Sequence, residues 1–179
     1  MREERREANS TSPLCQGNQL PWQYWSDACV PSFLQPLPKW KVVLCKTHEN
    51  CFARDTLRDH LICHHGATSY EAVRFTSSSK MADVAESWKD AVHPGGQIGP
   101  IEPIPGLPII RGYWCAVLFC MYCTLTRRDL RDHFDEEDHI EDKCDEEYEC
   151  FLQTLSSRPG EAHYFRVSPP DEWRFPLYY

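Results

Sequence analysis

Ten cysteines and eight histidines supply this chain with thiolate and imidazole donors, and they fall in two groups. A C2H2 zinc finger needs two ligands on a hairpin and two histidines one helical turn apart, so that four donors converge tetrahedrally on one ion. The run Cys115-x4-Cys120-x12-His133-x5-His139 satisfies that frame. Tyr113, two residues before the first Cys, and Leu130, three before the first His, occupy the positions where such fingers place core residues. Cys123 offers a rival second ligand as a C-x2-C pair with Cys120, but it leaves only nine residues before His133.

The first group is less regular. Cys45-x5-Cys51-x8-His60-x4-His65 uses two thiolates and misses the frame at both intervals. Cys45-x2-His48-x11-His60-x4-His65 misses by one residue, and zinc accepts a third imidazole readily. Spacing therefore favours His48 over Cys51, with His64 expected to face elsewhere on the helix. The expected cofactor is two structural Zn²⁺ ions. Spacing assigns no role to Cys15, Cys29, Cys63, Cys144 or Cys150.

Metal is preferred over disulfides because the N-terminal stretch, Met1 to Glu7, is charged throughout and lacks the apolar run of a secretory signal. Thiols of a chain that stays inside the cell remain reduced. The longest apolar run, Trp114 to Leu125, is too short to cross a bilayer, so no membrane partner is expected. Only 41% of the chain is hydrophobic, and it carries 14 prolines and 8 glycines, a thin supply of core that calls for a staple.

These ligands need elements to hold them. Residues 1–39 read as an irregular arm rich in aromatics and proline. Residues 40–66 form the first finger-like unit: a strand from Trp40 to Leu44, then a helix from Arg54 ended by Gly66. Residues 67–108 form a linker in which Met81, Val84, Ala85, Trp88, Ala91 and Val92 recur at helical spacing behind Ser78 or Ser79. Residues 109–139 form the second unit. Leu57-Arg58-Asp59-His60 recurs there as Leu130-Arg131-Asp132-His133, as expected for two copies of one unit. Residues 140–179 hold an acidic segment and a C-terminal hairpin, Tyr148 to Leu155 and His163 to Val167. The expected fold class is α+β: small zinc-stabilised ββα-like modules, a linking helix and a closing hairpin.

The segments VVLCKTHENCFARDTLRDHL, IPGLPIIRGYWC and CFLQTLSSRPGEAHYFRV, with the second finger between them, resemble a fungal family in their order. The family is named after orsellinic acid biosynthesis cluster protein D, and the likeness covers roughly residues 40–168. Its relatives occur beside recombinase or helicase regions of mobile elements. The resemblance implies Cys45, His48, His60 and His65 as first-site ligands. The second site departs from the family's Cys-x2-Cys by having four residues between Cys115 and Cys120.

Catalytic signatures are absent. His139-Ile140-Glu141 matches the H-x-E of zinc deaminases, but the required P-C-x-x-C does not follow. There is no H-E-x-x-H, G-x-S-x-G or phosphate-cradling glycine loop. No enzyme and no small-molecule substrate are expected.

Two roles remain. The first is nucleic-acid-associated regulation in the nucleus, in transcription or a mobile-element context, with Arg54, Arg58, Arg127, Arg128 and Arg131 as weak phosphate contacts. The base-reading helix positions are Ala53, Thr56 and Asp59, then Thr126, Asp129 and Asp132, which include no Arg or Lys. The second role is a zinc-stabilised protein-interaction module, nuclear or cytoplasmic. Residues 134–149 carry ten acids and one Lys, so a basic protein partner is expected there.

Overall fold

A computed structural model of the chain describes residues 30–96, 99–137, 149–158 and 162–169. The expected ligand His139, the acidic stretch 138–148, most of the N-terminal arm and the C-terminal end lie outside these residues.

Two antiparallel sheets and three α-helices make up the described architecture. The first sheet has order β1-β2-β3, from Leu34–Leu37, Val42–Cys45 and Asn50–Phe52. The register pairs Leu44 with Cys51 and Cys45 with Asn50. Every residue of β2 and β3 is buried, because both faces of this sheet are covered. Helices α1 (Arg54–His65) and α2 (Ser69–Thr76) close one face. There Leu34, Val43, Phe52, Leu57, Leu61, Ala72, Met81 and Val84 form one apolar cluster.

The other face belongs to a second cluster, where Trp40, Val42, Leu44 and Cys51 meet Ile104, Leu107, Leu155, Phe165 and Val167. Alternation along a strand thus sends Val43 and Cys45 one way and Val42 and Leu44 the other. A strand covered on both sides reads as a continuous apolar run, as Val42-Val43-Leu44 does.

The second sheet has order β5-β4-β6-β7, from Cys123–Thr124, Ile110–Trp114, Glu149–Thr154 and Tyr164–Val167. The C-terminal hairpin β6–β7 is therefore not a separate lid. It joins β4 of the second metal unit, with Gly112 opposite Cys150. Buried Gln153 ties the sheet to the proline-rich stretch: its amide group donates to the carbonyls of Ile104 and Leu107 and accepts from the Ile104 N–H. Helix α3 (Arg127–Glu136) packs on β5 through Leu130 and Phe134. The two metal units are thus parts of one packed body.

Three elements differ from the sequence expectation. Residues 34–37, assigned to the irregular arm, form the edge strand β1, where Pro36 is tolerated. Helix α2 was expected to be loop, yet Thr68 and Glu71 form a reciprocal capping box at its start. The helix expected from Met81 to Val92 is absent. Short 3-10 turns, Ser79–Met81 and Trp88–Asp90, bury Met81, Val84 and Ala85 instead. The backbone there is used elsewhere: Ala85 N–H donates to the Lys41 carbonyl, while the Ala85 and Glu86 carbonyls accept from the N–H groups of Arg54 and Asp55. These last two bonds satisfy orphan donors at the start of α1, whose N-cap Ala53 has no side chain to do so.

Candidate metal centre

Cys45 ends β2, and the four-residue turn after it brings His48 back over the strand. The turn closes through His48 N–H donating to the Cys45 carbonyl, with Glu49 in the left-handed region at φ 49°. From the opposite side α1 supplies His60 and His65. Gly66 ends that helix in the left-handed conformation at φ 68°, a position that suits glycine.

The four donors converge. Cys45 Sγ lies 3.3 Å from His48 Nδ1 and 3.4 Å from His65 Nε2. His65 Nε2 lies 3.2 Å from His60 Nε2, and all four donor atoms fall within 4.8 Å of one another. Zinc bonds of about 2.3 Å to sulfur and 2.0–2.1 Å to nitrogen set tetrahedral donors about 3.3–3.6 Å apart. The donor spacing fits a single ion of that size. Burial is the main force on the ring charges, aided by the neighbouring imidazoles. It holds His60 down at about 3 and His65 at about 4, so both present neutral lone pairs at pH 7. Burial also raises the Cys45 thiol, an effect that a bound cation would reverse.

Cys51 is excluded from this group by strand geometry. It faces the same side as its partner Leu44, away from Cys45, and burial pushes its thiol up to about 12. His64 does not point away as expected. Its ring lies 5.0 Å from His60 and 5.2 Å from His48, beside the four donors.

At the second centre Cys115, Cys120 and His133 come together, with Cys120 Sγ 3.3 Å from His133 Nε2. Cys115 follows β4, His133 lies in the second half of α3, and Thr126 caps that helix by accepting from Asp129 N–H. Cys123 is not in this group. It sits on β5 opposite Trp114, with burial raising its thiol to about 11. Cys150 on β6 is likewise raised to about 12.

Three aromatic residues that ligand spacing does not reveal brace the imidazoles. Phe33 stacks on His65 at 4.2 Å, Phe52 on His60 at 4.0 Å and Tyr122 on His133 at 4.0 Å. Phe52 and Tyr122 lie next to cysteines in sequence, and that adjacency is the only local signal. Phe33 comes from the arm and carried none.

The arginines named for nucleic-acid contact are largely engaged within the chain. Glu86 meets Arg54 at 3.2 Å and Arg58 at 4.0 Å. Arg127 pairs with Glu149 at 3.5 Å, and Arg128 with Asp132 at 3.8 Å. Arg131 is exposed on α3.

The class defined here is a mixed α/β protein with two convergent Cys/His groups suited to metal. The family model for orsellinic acid/F9775 biosynthesis cluster protein D matches residues 32–139, more than half of the chain, and the chain belongs to that family. No curated protein and no solved structure matches it.

Proposed function

We propose that the chain is a zinc-stabilised protein-interaction module in which both metal ions are structural. Thiolate with imidazole is a donor set that selects zinc among common divalent ions. Cys45, His48, His60 and His65 would fill all four tetrahedral positions and leave none for a reacting water, which argues for a non-enzymatic role. At the second centre His139 would complete Cys115, Cys120 and His133. Each unit is then a variant of the C2H2 hairpin-and-helix arrangement, fused into a larger sheet. Such thiolate centres belong in a reducing compartment, nuclear or cytoplasmic.

One observation carries the choice of protein over nucleic acid as partner. A DNA-reading finger inserts the N-terminal end of its helix into the major groove. Here that end of α1 is occupied by the Ala85 and Glu86 carbonyls, with the Glu86 carboxylate holding Arg54 and Arg58. Of the positions that would read bases, Ala53 is buried and the Asp129 carboxylate accepts from the Thr124 hydroxyl.

Titrating zinc-loaded protein against duplex DNA and RNA over a range of salt tests this reading. Binding weaker than about micromolar, with a shallow salt slope, is expected. Nanomolar, sequence-specific binding would overturn it in favour of nucleic-acid-associated regulation.

A further inference from the structure

The turn inside the second hairpin runs against the conformational preference of its own residue. Cys120 N–H donates to the Val117 carbonyl at 2.9 Å, closing a four-residue turn. Its third residue, Phe119, sits in the left-handed region at φ 67°. A β-turn of that shape takes Gly or Asn at this position, because a Cβ is strained there. The phenyl ring gains no burial in return. Phe119 is 75% exposed and Leu118 beside it 77%, with Val117, Met121 and Leu125 also on the surface. Strained backbone combined with a large exposed apolar side chain is a pattern of functional surfaces. The tip is also firmly mounted, since Cys115 and Cys120 at its two ends converge with His133.

We propose that Leu118 and Phe119 form a docking knuckle for a protein partner that offers an apolar pocket rimmed by lysine and arginine. This rests on the interaction-module reading and names the surface that performs it. The charge of the partner follows from the base of the knuckle. His133, at Cys120, belongs to the same helix as Asp132, Asp135 and Glu136, and Glu137 caps that helix; all four acids are exposed. The sequence beyond them continues strongly acidic. Such a surface repels anionic lipid headgroups and nucleic-acid phosphates, and it repels a second copy of itself. It attracts a basic protein surface.

The test uses the full zinc-loaded chain and three synthetic helical peptides. One has a leucine face and a lysine face, a second replaces its leucines with serine, and a third replaces its lysines with glutamate. Only the leucine–lysine peptide is expected to bind. The double variant Leu118→Ser/Phe119→Gly should weaken that binding about thirtyfold, the scale of a two-residue hot spot. Its thermal midpoint should stay level or rise, because glycine relieves the turn, so lost binding would not reflect lost folding.

Equal binding by wild type and variant would overturn the knuckle while leaving the interaction-module reading standing. Equal binding of the serine peptide would show charge alone at work and overturn it as well. Failure of wild type to bind the leucine–lysine peptide overturns the proposal, and tight duplex binding in the same assay would overturn the broader reading too. Binding to anionic vesicles, or dimerisation abolished by the double variant, would assign the tip to a membrane or a second copy and overturn it.

Discussion

The Nδ1 of His48 stands 3.3 Å from the Sγ of Cys45, while Cys51, three residues beyond that histidine, faces the opposite side of the sheet. One strand position thus separates a donor from a core residue. Cobalt in place of zinc reports the thiolates bound at each centre. His48→Ala should disrupt the first-site spectrum. Cys51→Ala should leave it unchanged and cost about 1–2 kcal/mol of packing. The reverse pattern would make Cys51 the ligand.

Gly112 of β4 has no room for a side chain. A Cβ there would collide with the Leu152 side chain and come within 2.6 Å of the Thr124 carbonyl oxygen. Gly112→Ala should destabilise the chain by about 1–3 kcal/mol through overpacking, read by denaturant unfolding. Because the second metal unit and the C-terminal hairpin share this sheet, both should loosen together. A neutral substitution would show that the two can separate.

Thiol reactivity should sort the cysteines. Cys51, Cys123 and Cys150 are held by burial at about 12, 11 and 12, so they remain protonated at pH 8 and alkylate slowly. Exposed Cys63 should react first. Adding a chelator should release Cys45, Cys115 and Cys120 to the reagent. Fast labelling of Cys123 before chelation would contradict its buried placement.

His93 lies against His163 of the C-terminal hairpin, ring centres 5.1 Å apart, and stacks near Trp88. Burial first, then the His163 charge, lowers its proton affinity below the ordinary imidazole range. The unfolded chain takes up that proton first, so stability should fall as pH drops through about 6.5. His93→Gln should flatten this slope in thermal melts between about pH 5 and 7. An unchanged slope would assign the pH dependence to other groups.

Much of the first centre was legible in the sequence because its donors sit at fixed intervals on one turn and one helix. His48 could be favoured over Cys51 by counting alone, and Gly66 marked the helix end. The hairpin at 149–167 was equally readable from its apolar runs and the Ser-Arg-Pro-Gly break. Other features were hidden for physical reasons. The apolar spacing of Met81, Val84 and Ala85 reports burial, and the expected helix failed because the Ala85 backbone bonds to Lys41 and Arg54 instead. Pro36 disguised an edge strand. Thr68-x-x-Glu71 was a visible helix start that the expectation of a loop passed over. Phe33 reaches His65 from 32 positions away in sequence, a distance across which no local pattern carries information.

Metal content tests the central claim most directly. Protein purified under reducing conditions should carry two zinc ions per chain by elemental analysis. Chelation should abolish most cooperative unfolding, since structural zinc supplies roughly 10–16 kcal/mol of apparent folding free energy in finger peptides. A zinc-to-chain ratio near two, with structure lost on chelation and regained on adding zinc, is the predicted result. A ratio below one, or a cooperative transition unchanged by chelation, would contradict the account.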